Sequence, residues 1–164
     1  MAEHHREGLH TDLDIKELTD PCAFQRWIDD QLEAGRAGRA LHPRDRVPHR
    51  VLWWASANEY LGRVRINLAL SEELHAFGGH IGYDVRPSAR GQGHASAMLA
   101  AALGIAGEHG IERALLTCAK DNHASRRVIE RNGGRFVDLS TAGRMRFVCT
   151  TGPQRAGPEQ RTAT

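Results

Sequence analysis

The chain has few of the features that mark secreted, metal-binding or membrane proteins. Its 164 residues include only three cysteines, Cys22, Cys118 and Cys149, an odd number without C-x-x-C spacing, which argues against a disulfide framework and a zinc site. No apolar run approaches the roughly 18 residues that a membrane span needs, and the first residues lack the apolar segment of a signal peptide. We therefore expect a cytoplasmic protein with buried thiols, no metal and no membrane partner.

Aromatic residues and lysines are also scarce. Aromatic side chains make up 5% of the chain, so the core should consist mainly of Ala, Leu, Val and Ile. Lys16 and Lys120 are the only lysines among 22 basic residues, and the formal net charge is only +2. This nearly balanced charge argues against a nucleic-acid partner, because proteins that bind nucleic acids usually have a strongly basic surface.

The length is typical of one soluble domain with a substantial core. We expect a single domain over residues 1–150. Residues 151–164 contain Gly, Pro and Gln without apolar periodicity and predict a disordered tail. Residues 35–50 carry five arginines without helical or strand periodicity and predict a solvated loop.

Apolar periodicity predicts strands and helices in mixed order, and hence an α/β (α+β mixed) fold. Residues 9–15 alternate as an edge strand, and Asp20 and Pro21 are the expected start of a helix. Further strands are predicted at residues 50–55, 61–70, 80–85 and 114–119, with two more around Gly143. Helices are predicted at residues 92–109, ended by Gly110, and between 121 and Gly133.

The most informative segment ends at Ala95 and reads GGHIGYDVRPSARGQGHA. Its apolar half is a strand, which Pro87 ends by removing a ladder donor. The helix that follows has unpartnered first amides and a positive dipole end, and Gly91 and Gly93 lack the Cβ atoms that would hold a phosphate away. Arg90 adds a permanent cation. The segment therefore predicts a diphosphate-binding turn between strand and helix.

Two common phosphate motifs do not fit this turn. A dinucleotide fingerprint beginning at Gly91 would need glycine at Ser96, and a P-loop would need a G-K-[ST] sequence that the chain lacks. The acyl-CoA signature [RQ]-x-x-G-x-[GA] is met by Arg90, Gly93 and Ala95. At this point the sequence resembles the GNAT superfamily of acetyltransferases.

A second motif strengthens the resemblance. The string DNHASRRVIERNGGRF is similar to the N-x-x-[AS] turn and helix of that family, in which Asn122 and Ser125 would lie beside the pantetheine arm and the adenosine diphosphate. Independently of the family, Asp121 or Asn122 is a plausible helix N-cap. The close resemblance spans about residues 79–136 and is typical of a subgroup of small bacterial GNAT proteins.

The resemblance implies a GNAT fold, with a central, mostly antiparallel sheet of six to seven strands splayed at the CoA site and about four flanking helices. It implies acetyl-CoA as the acyl donor, a primary amine of a small molecule or protein as acceptor, and direct transfer between them; it also allows a homodimer. The expected cofactor contacts are Tyr83, Val85, Arg90, Gly91, Gln92, Gly93, His94, Ala95, Asn122 and Ser125.

The catalytic groups follow less directly. The amide of Val85 is the expected oxyanion donor. His80, whose reference pKa near 6.5 suits proton transfer, is one candidate base, with a structural histidine as the equal alternative. Asp84, on the same face of an ideal strand, is the other. The remaining alternatives are Glu72, Glu73 and a chain of waters, while Cys118 is disfavoured as a nucleophile because a thiol on an apolar strand is usually core.

One departure from the family matters for function. Many members place a tyrosine seven residues after the motif asparagine, where it can protonate the departing thiolate, but Ile129 occupies that position here. The alternative to an acetyltransferase is therefore a GNAT-fold module that binds or senses acyl-CoA without catalysis. The arginine-rich segment 36–50 has a second interpretation as a wall of the acceptor site that attracts an acidic group.

Overall fold

The computed structural model describes Glu3, Arg6 and residues 20–37, 47–56 and 59–152. Three α-helices and six strands form the described part of the chain. In chain order they are α1 (Pro21–Ala37), β1 (His49–Ser56), β2 (Glu59–Asn67), β3 (Ile81–Val85), α2 (His94–Glu108), β4 (Arg113–Cys118), α3 (His123–Arg131), β5 (Arg135–Leu139) and β6 (Met145–Thr150).

The strands form two antiparallel sheets of three strands each. The first has the order β1-β2-β3 and the second the order β4-β6-β5. They meet just before β3, where Gly79 forms an isolated bridge with Leu116. The amide of His80 donates to the Leu115 carbonyl at 2.7 Å, and the Leu115 amide donates to Nδ1 of the His80 ring at 2.9 Å. Beyond this junction, no ladder joins β3 to β4 in the described residues, so a gap opens between the sheets.

The register of β3 decides which backbone groups face the gap. The amide of Arg86 donates to the Leu61 carbonyl at 2.9 Å, just beyond the ladder between β2 and β3. In an antiparallel ladder every second residue bonds to the same neighbour, so the even-numbered residues of β3 bond to β2. The N–H and C=O groups of Tyr83 and Val85 therefore point towards the gap.

The core lies where α2 packs on β2 and β3 and against α3. From α2 it receives Met98, Leu99, Ala102, Leu103 and Ala106, all buried. Phe147 is the only aromatic side chain in the buried core of the described residues. The expected core of small and branched aliphatic side chains is confirmed.

Several local predictions are confirmed by backbone contacts. Asp20 Oδ1 accepts from the amide of Ala23 at 2.7 Å, as expected of an N-cap. Asn122 caps α3 by accepting from the amide of Ser125 at 2.9 Å. Gly110 follows α2 with a φ of 80°, in the left-handed region that favours glycine.

Other predictions differ from the structure. The strand expected at residues 61–70 ends at Asn67, because the side-chain amide of Asn67 donates to the Gly79 carbonyl and holds the chain at the sheet junction. A π-helical turn, Leu74–Gly78, then leads into β3 and was not predicted. Cys118 and Cys149 are buried as expected, but the expectation was wrong for Cys22, which is exposed at the solvent-facing start of α1.

The ends of the loop and tail predictions also shift. The segment 35–50 overlaps α1 and β1 at its two ends, and residues 38–46 lie outside the described residues. The predicted edge strand at 9–15 and residues 153–164 of the predicted tail lie outside them too. Thr151, the first residue of that tail, bonds through its amide to the Glu112 carbonyl at 3.0 Å and through its hydroxyl to the Ile111 carbonyl.

Gly79→Ala should lower the free energy of unfolding by about 1–3 kcal/mol. Gly79 has a φ of 78°, and a Cβ there would overlap the backbone of Leu115 at the sheet junction. Gly104→Ala is the control: it lies within α2, a Cβ there meets nothing within 4 Å, and the change should stabilise by about 0.5–1 kcal/mol. Urea titration of both variants measures the difference; equal stability would contradict the role of Gly79.

Candidate functional site

A cavity of about 590 Å³ opens between β3 and the N-terminal ends of α2 and α3. It lies on the gap between the two sheets, so strand ends, unpaired backbone and two helix N-termini share one space. The structure brings together there most of the residues that the sequence predicts for the site. These are Tyr83, Asp84, Val85, Arg90, Gly91, Gly93, His94, Ala95, Asn122 and Ser125, whereas His80 and Gln92 do not line the cavity.

The turn before α2 has the backbone expected of an anion cradle. Gly91 and Gly93 have φ values of 79° and 86°, and a Cβ built on either would meet nothing within 4 Å. Gly93 is the N-cap residue of α2 and its conformation is left-handed. The first amides of α2 therefore lie beside open space that only glycine leaves free, which suits a phosphate group.

Two side-chain hydrogen bonds fix the walls of this turn. Arg90 Nε donates to the Val85 carbonyl at 3.0 Å, which ties the turn to the end of β3. Trp54 Nε1 donates to Nδ1 of His94 at 3.3 Å, which ties the first residue of α2 to β1. Because Nδ1 of His94 accepts, the proton of the neutral ring is on Nε2, where it can be donated.

The opposite wall is the start of α3. The hydroxyl of Tyr83 lies 3.0 Å from Ser125 Oγ and 3.3 Å from the Ser125 carbonyl oxygen. Burial raises the pKa of Tyr83 to about 12, so its phenol is protonated at neutral pH. The pair joins β3 to the start of α3, where Asn122 caps the helix.

Two arginines of α3 that the sequence analysis left unassigned also line the cavity. Arg127 and Arg131 are four residues apart, which places them on one face of the helix. Arg126 belongs to another face, where its Nε is 2.8 Å from Glu130 Oε1. The i, i+4 spacing after the N-x-x-S motif was the available signal, and these cations add to the positive potential at the helix N-termini.

The two candidate bases lie in different surroundings. Asp84 lines the cavity, and its Oδ2 is 3.7 Å from Nε of Arg63 on β2. His80 lies at the sheet junction, where its Nδ1 lone pair accepts the Leu115 amide and the proton of the neutral ring is therefore on Nε2. Burial, with a smaller contribution from His75, lowers the pKa of His80.

Four further residues considered in the sequence analysis can be placed. Ile129 is 1% exposed within the core, so its side chain is part of the packing of α3. Cys118 is buried, and burial raises the pKa of its thiol, which disfavours a thiolate nucleophile. Glu72 and Glu73 precede the π-helical turn and are not in the cavity wall.

Two searches of the described residues bear on metals and membranes. No cluster of three or more His, Cys, Asp or Glu side chains in this part of the chain could hold a metal ion. None of its helices is both long and apolar enough to cross a bilayer.

Comparison with known proteins identifies the family of this fold. A family model described as the acetyltransferase (GNAT) domain matches residues 3–135, which is most of the chain. No curated protein sequence matches the chain.

Solved structures of similar fold include several acetyltransferases. RimJ of Mycobacterium smegmatis, in complex with CoA-disulfide, has a TM-score of 0.58 at 21% identity, with 85% of this chain and 66% of that chain covered. YncA, a putative acetyltransferase of Salmonella typhimurium with acetyl-CoA, has a TM-score of 0.54 at 14% identity, with 85% and 79% covered. The microcin C7 self-immunity acetyltransferase MccE, with acetyl-CoA and AMP, has a TM-score of 0.53 at 12% identity, with 78% and 69% covered.

These likenesses concern the fold, and the chain spans just under two thirds of the RimJ structure. The two splayed antiparallel sheets and the helix packing agree with that fold. On the family match over most of its length, the chain belongs to the GNAT acetyltransferase family.

Proposed function

We propose that the protein is an acetyl-CoA-dependent N-acetyltransferase that transfers an acetyl group directly to a primary amine of a small molecule or protein. The observation that carries the proposal is the left-handed turn at Gly91 and Gly93, with open space where a Cβ would be, at one end of a cavity of about 590 Å³. The solved GNAT structures of YncA and MccE, which hold acetyl-CoA, support the choice of donor.

The residues of the cavity fit such a donor from one end to the other. The amides at the start of α2 suit the diphosphate of the donor, and Arg127 and Arg131 suit the same diphosphate or the phosphate on the adenosine of the donor. The gap-facing backbone of Tyr83 and Val85 can pair with the amides of the pantetheine arm, as an added strand would. Asn122 and Ser125 lie on the opposite wall. When bound, acetyl-CoA would supply the acyl group as a thioester.

For the chemical step, Asp84 is the better placed base. Asp84 is a residue of the cavity wall, whereas His80 is not and binds the Leu115 amide at the sheet junction. Asp84 would accept the proton of the attacking amine. An arm that pairs first with Val85 carries the thioester past that residue, so the Tyr83 amide, which also faces the gap, would be better placed than the expected Val85 amide to stabilise the oxyanion. His80 is retained as the alternative base.

The acceptor is proposed only as a primary amine. The alternative, a module that senses acyl-CoA without catalysis, predicts tight acetyl-CoA binding and no turnover. A panel of amino acids, polyamines and peptides, assayed for free thiol released from acetyl-CoA, separates the two: release above the amine-free rate supports the transferase, and binding without release on every amine supports the module. Cytoplasmic location and a homodimer, with no nucleic-acid partner, remain predictions.

Gly93→Asp should abolish acetyl-CoA binding. The side chain would fill the space beside the α2 amides and place a negative charge where the diphosphate belongs, with an expected loss of at least about 100-fold in affinity. Gly110→Asp is a matched control, since Gly110 has a similar φ of 80° and equally open surroundings but lies at the other end of α2. Calorimetric titration with acetyl-CoA measures both; unchanged affinity in Gly93→Asp would refute the assignment of the turn.

Arg127→Ala and Arg131→Ala should each weaken acetyl-CoA binding about 5- to 30-fold, because each removes a cation that faces the phosphates. Arg126→Ala removes the same charge from another face of α3 and should leave affinity within about twofold. Affinity measured at two salt concentrations should fall less steeply with salt in the first two variants than in the wild type. Equal losses of acetyl-CoA affinity in all three arginine variants would contradict specific contacts and show that affinity depends only on the net charge of α3.

Asp84→Asn should lower kcat about 100-fold with little change in the Kd for acetyl-CoA, because it removes the proton acceptor and keeps the shape. His80→Asn keeps an acceptor near the Leu115 amide and should retain kcat within about threefold. Steady-state kinetics with the best amine of the panel provides the comparison. The opposite pattern, a large loss in His80→Asn alone, would make His80 the base.

A further inference from the structure

We propose that Tyr83 is the general acid of the transfer reaction and that its hydroxyl protonates the leaving sulfur from β3. This inference rests on the proposed function and goes beyond it, because it gives Tyr83 a chemical role in addition to its backbone contact. It also accounts for how a chain with Ile129 in the core of α3 can catalyse the reaction.

The path of the donor places its sulfur near this hydroxyl. A diphosphate at Gly91 and Gly93 lies at the carboxyl end of β3, and the arm attached to it can pair only with the residues whose backbone faces the gap, Val85 and then Tyr83. The hydroxyl of Tyr83 reaches from β3 to Ser125 of α3, and both residues line the cavity. An arm that follows β3 through this cavity towards the sheet junction would therefore pass the Tyr83 side chain.

Few other groups in the cavity wall could perform this proton transfer. His94 lies at the diphosphate end, where Trp54 holds its ring. Ser96 Oγ accepts a hydrogen bond from the Asn132 side chain at 3.0 Å. An aliphatic hydroxyl such as that of Ser125 is a far weaker acid than a phenol, whose reference pKa is about 10.

The hydrogen bond to Ser125 suits an acid. Either oxygen of the pair can donate; when Ser125 Oγ donates, the phenolic proton of Tyr83 can turn from the Ser125 carbonyl, to which the hydroxyl donates at 3.3 Å, towards the sulfur. The same Ser125 hydroxyl then stabilises the phenolate that remains after transfer. Asn122 keeps Ser125 in place by accepting from its amide.

The phenol keeps its proton until the step requires it. Burial raises the pKa of Tyr83 to about 12, so the hydroxyl is protonated at neutral pH. It would transfer that proton only once the departing sulfur has become negative.

The step balances without any further reactant. As the new carbon–nitrogen bond forms and the carbon–sulfur bond breaks, Tyr83 Oη gives its proton to sulfur, which has taken the electron pair of the broken bond. Asp84 accepts the proton that the amine loses. That proton then returns through solvent to the phenolate, which restores both groups for the next turnover.

Tyr83→Phe is the direct test, with Tyr60→Phe as the matched control. Tyr60 is the only other tyrosine of the chain and is not in the cavity wall. The first readout is the pKa of the CoA thiol in the binary complex. It is measured by a pH titration in which the ultraviolet absorbance of the thiolate is monitored. A phenol donating to the thiolate lowers that pKa, so Tyr83→Phe should raise it by about one unit, whereas Tyr60→Phe should leave it unchanged.

The second readout is kinetic. Tyr83→Phe should lower kcat about 100-fold with the Kd for acetyl-CoA within about threefold, and the loss should shrink to less than about fivefold with 4-nitrophenyl acetate, whose leaving group needs no proton. An unchanged thiol pKa with an unchanged kcat would overturn the proposal. Loss of CoA binding in Tyr83→Phe would overturn it as well, because the hydroxyl would then serve binding.

Failure of the proposed function would look different. If the wild type binds CoA but acetylates no amine, the transferase is refuted while the thiol pKa still decides whether Tyr83 contacts the sulfur. Should Tyr83→Phe not fold, Ser125→Ala provides the same titration: the thiol pKa should rise in the same direction, by less than in the direct variant, and no rise would overturn the proposal.

Discussion

The reciprocal hydrogen bonds between His80 and Leu115 are the contact on which the site depends. The backbone amide of His80 donates to the Leu115 carbonyl, and the His80 ring nitrogen Nδ1 accepts from the Leu115 amide. A ring nitrogen takes the place that a backbone carbonyl would have in a continued ladder, so the pairing of the two sheets stops there. The gap and the unpaired backbone groups of β3 begin at this point, and the cavity lies further along β3, from Tyr83 onwards.

Each wall of the cavity contains backbone groups that have no hydrogen-bond partner within their own strand ladder or helix. The gap-facing backbone groups of β3 have no neighbouring strand to pair with. The first amides of α2 and α3 have no preceding helical turn whose carbonyls could accept from them. The side chains around them, from Arg90 to Ser125, hold these ends in position and leave the polar groups available. A ligand that is anionic at one end and amide-rich in the middle would match this succession of unpaired groups.

The parts of the site that depend on local chain conformation were predictable. Gly91, Gly93 and the Asn122 cap follow from turn and capping rules that operate over a few residues. The parts that depend on distant segments were not. Arg127 is in the cavity because of how α3 packs on β4 and α2, and the partner of His80 is 35 residues away along the chain, so neither could be predicted from local spacing alone.

The unpaired inner edge of β3 has a consequence for the protein without its ligand. Open N–H and C=O groups on a strand edge are a template for pairing with foreign strands, and such edges promote aggregation unless they are covered. A bound donor that pairs with Tyr83 and Val85 would cover this edge as an added strand does. Colloidal stability during expression and storage would then depend on the supply of the same molecule that the protein consumes.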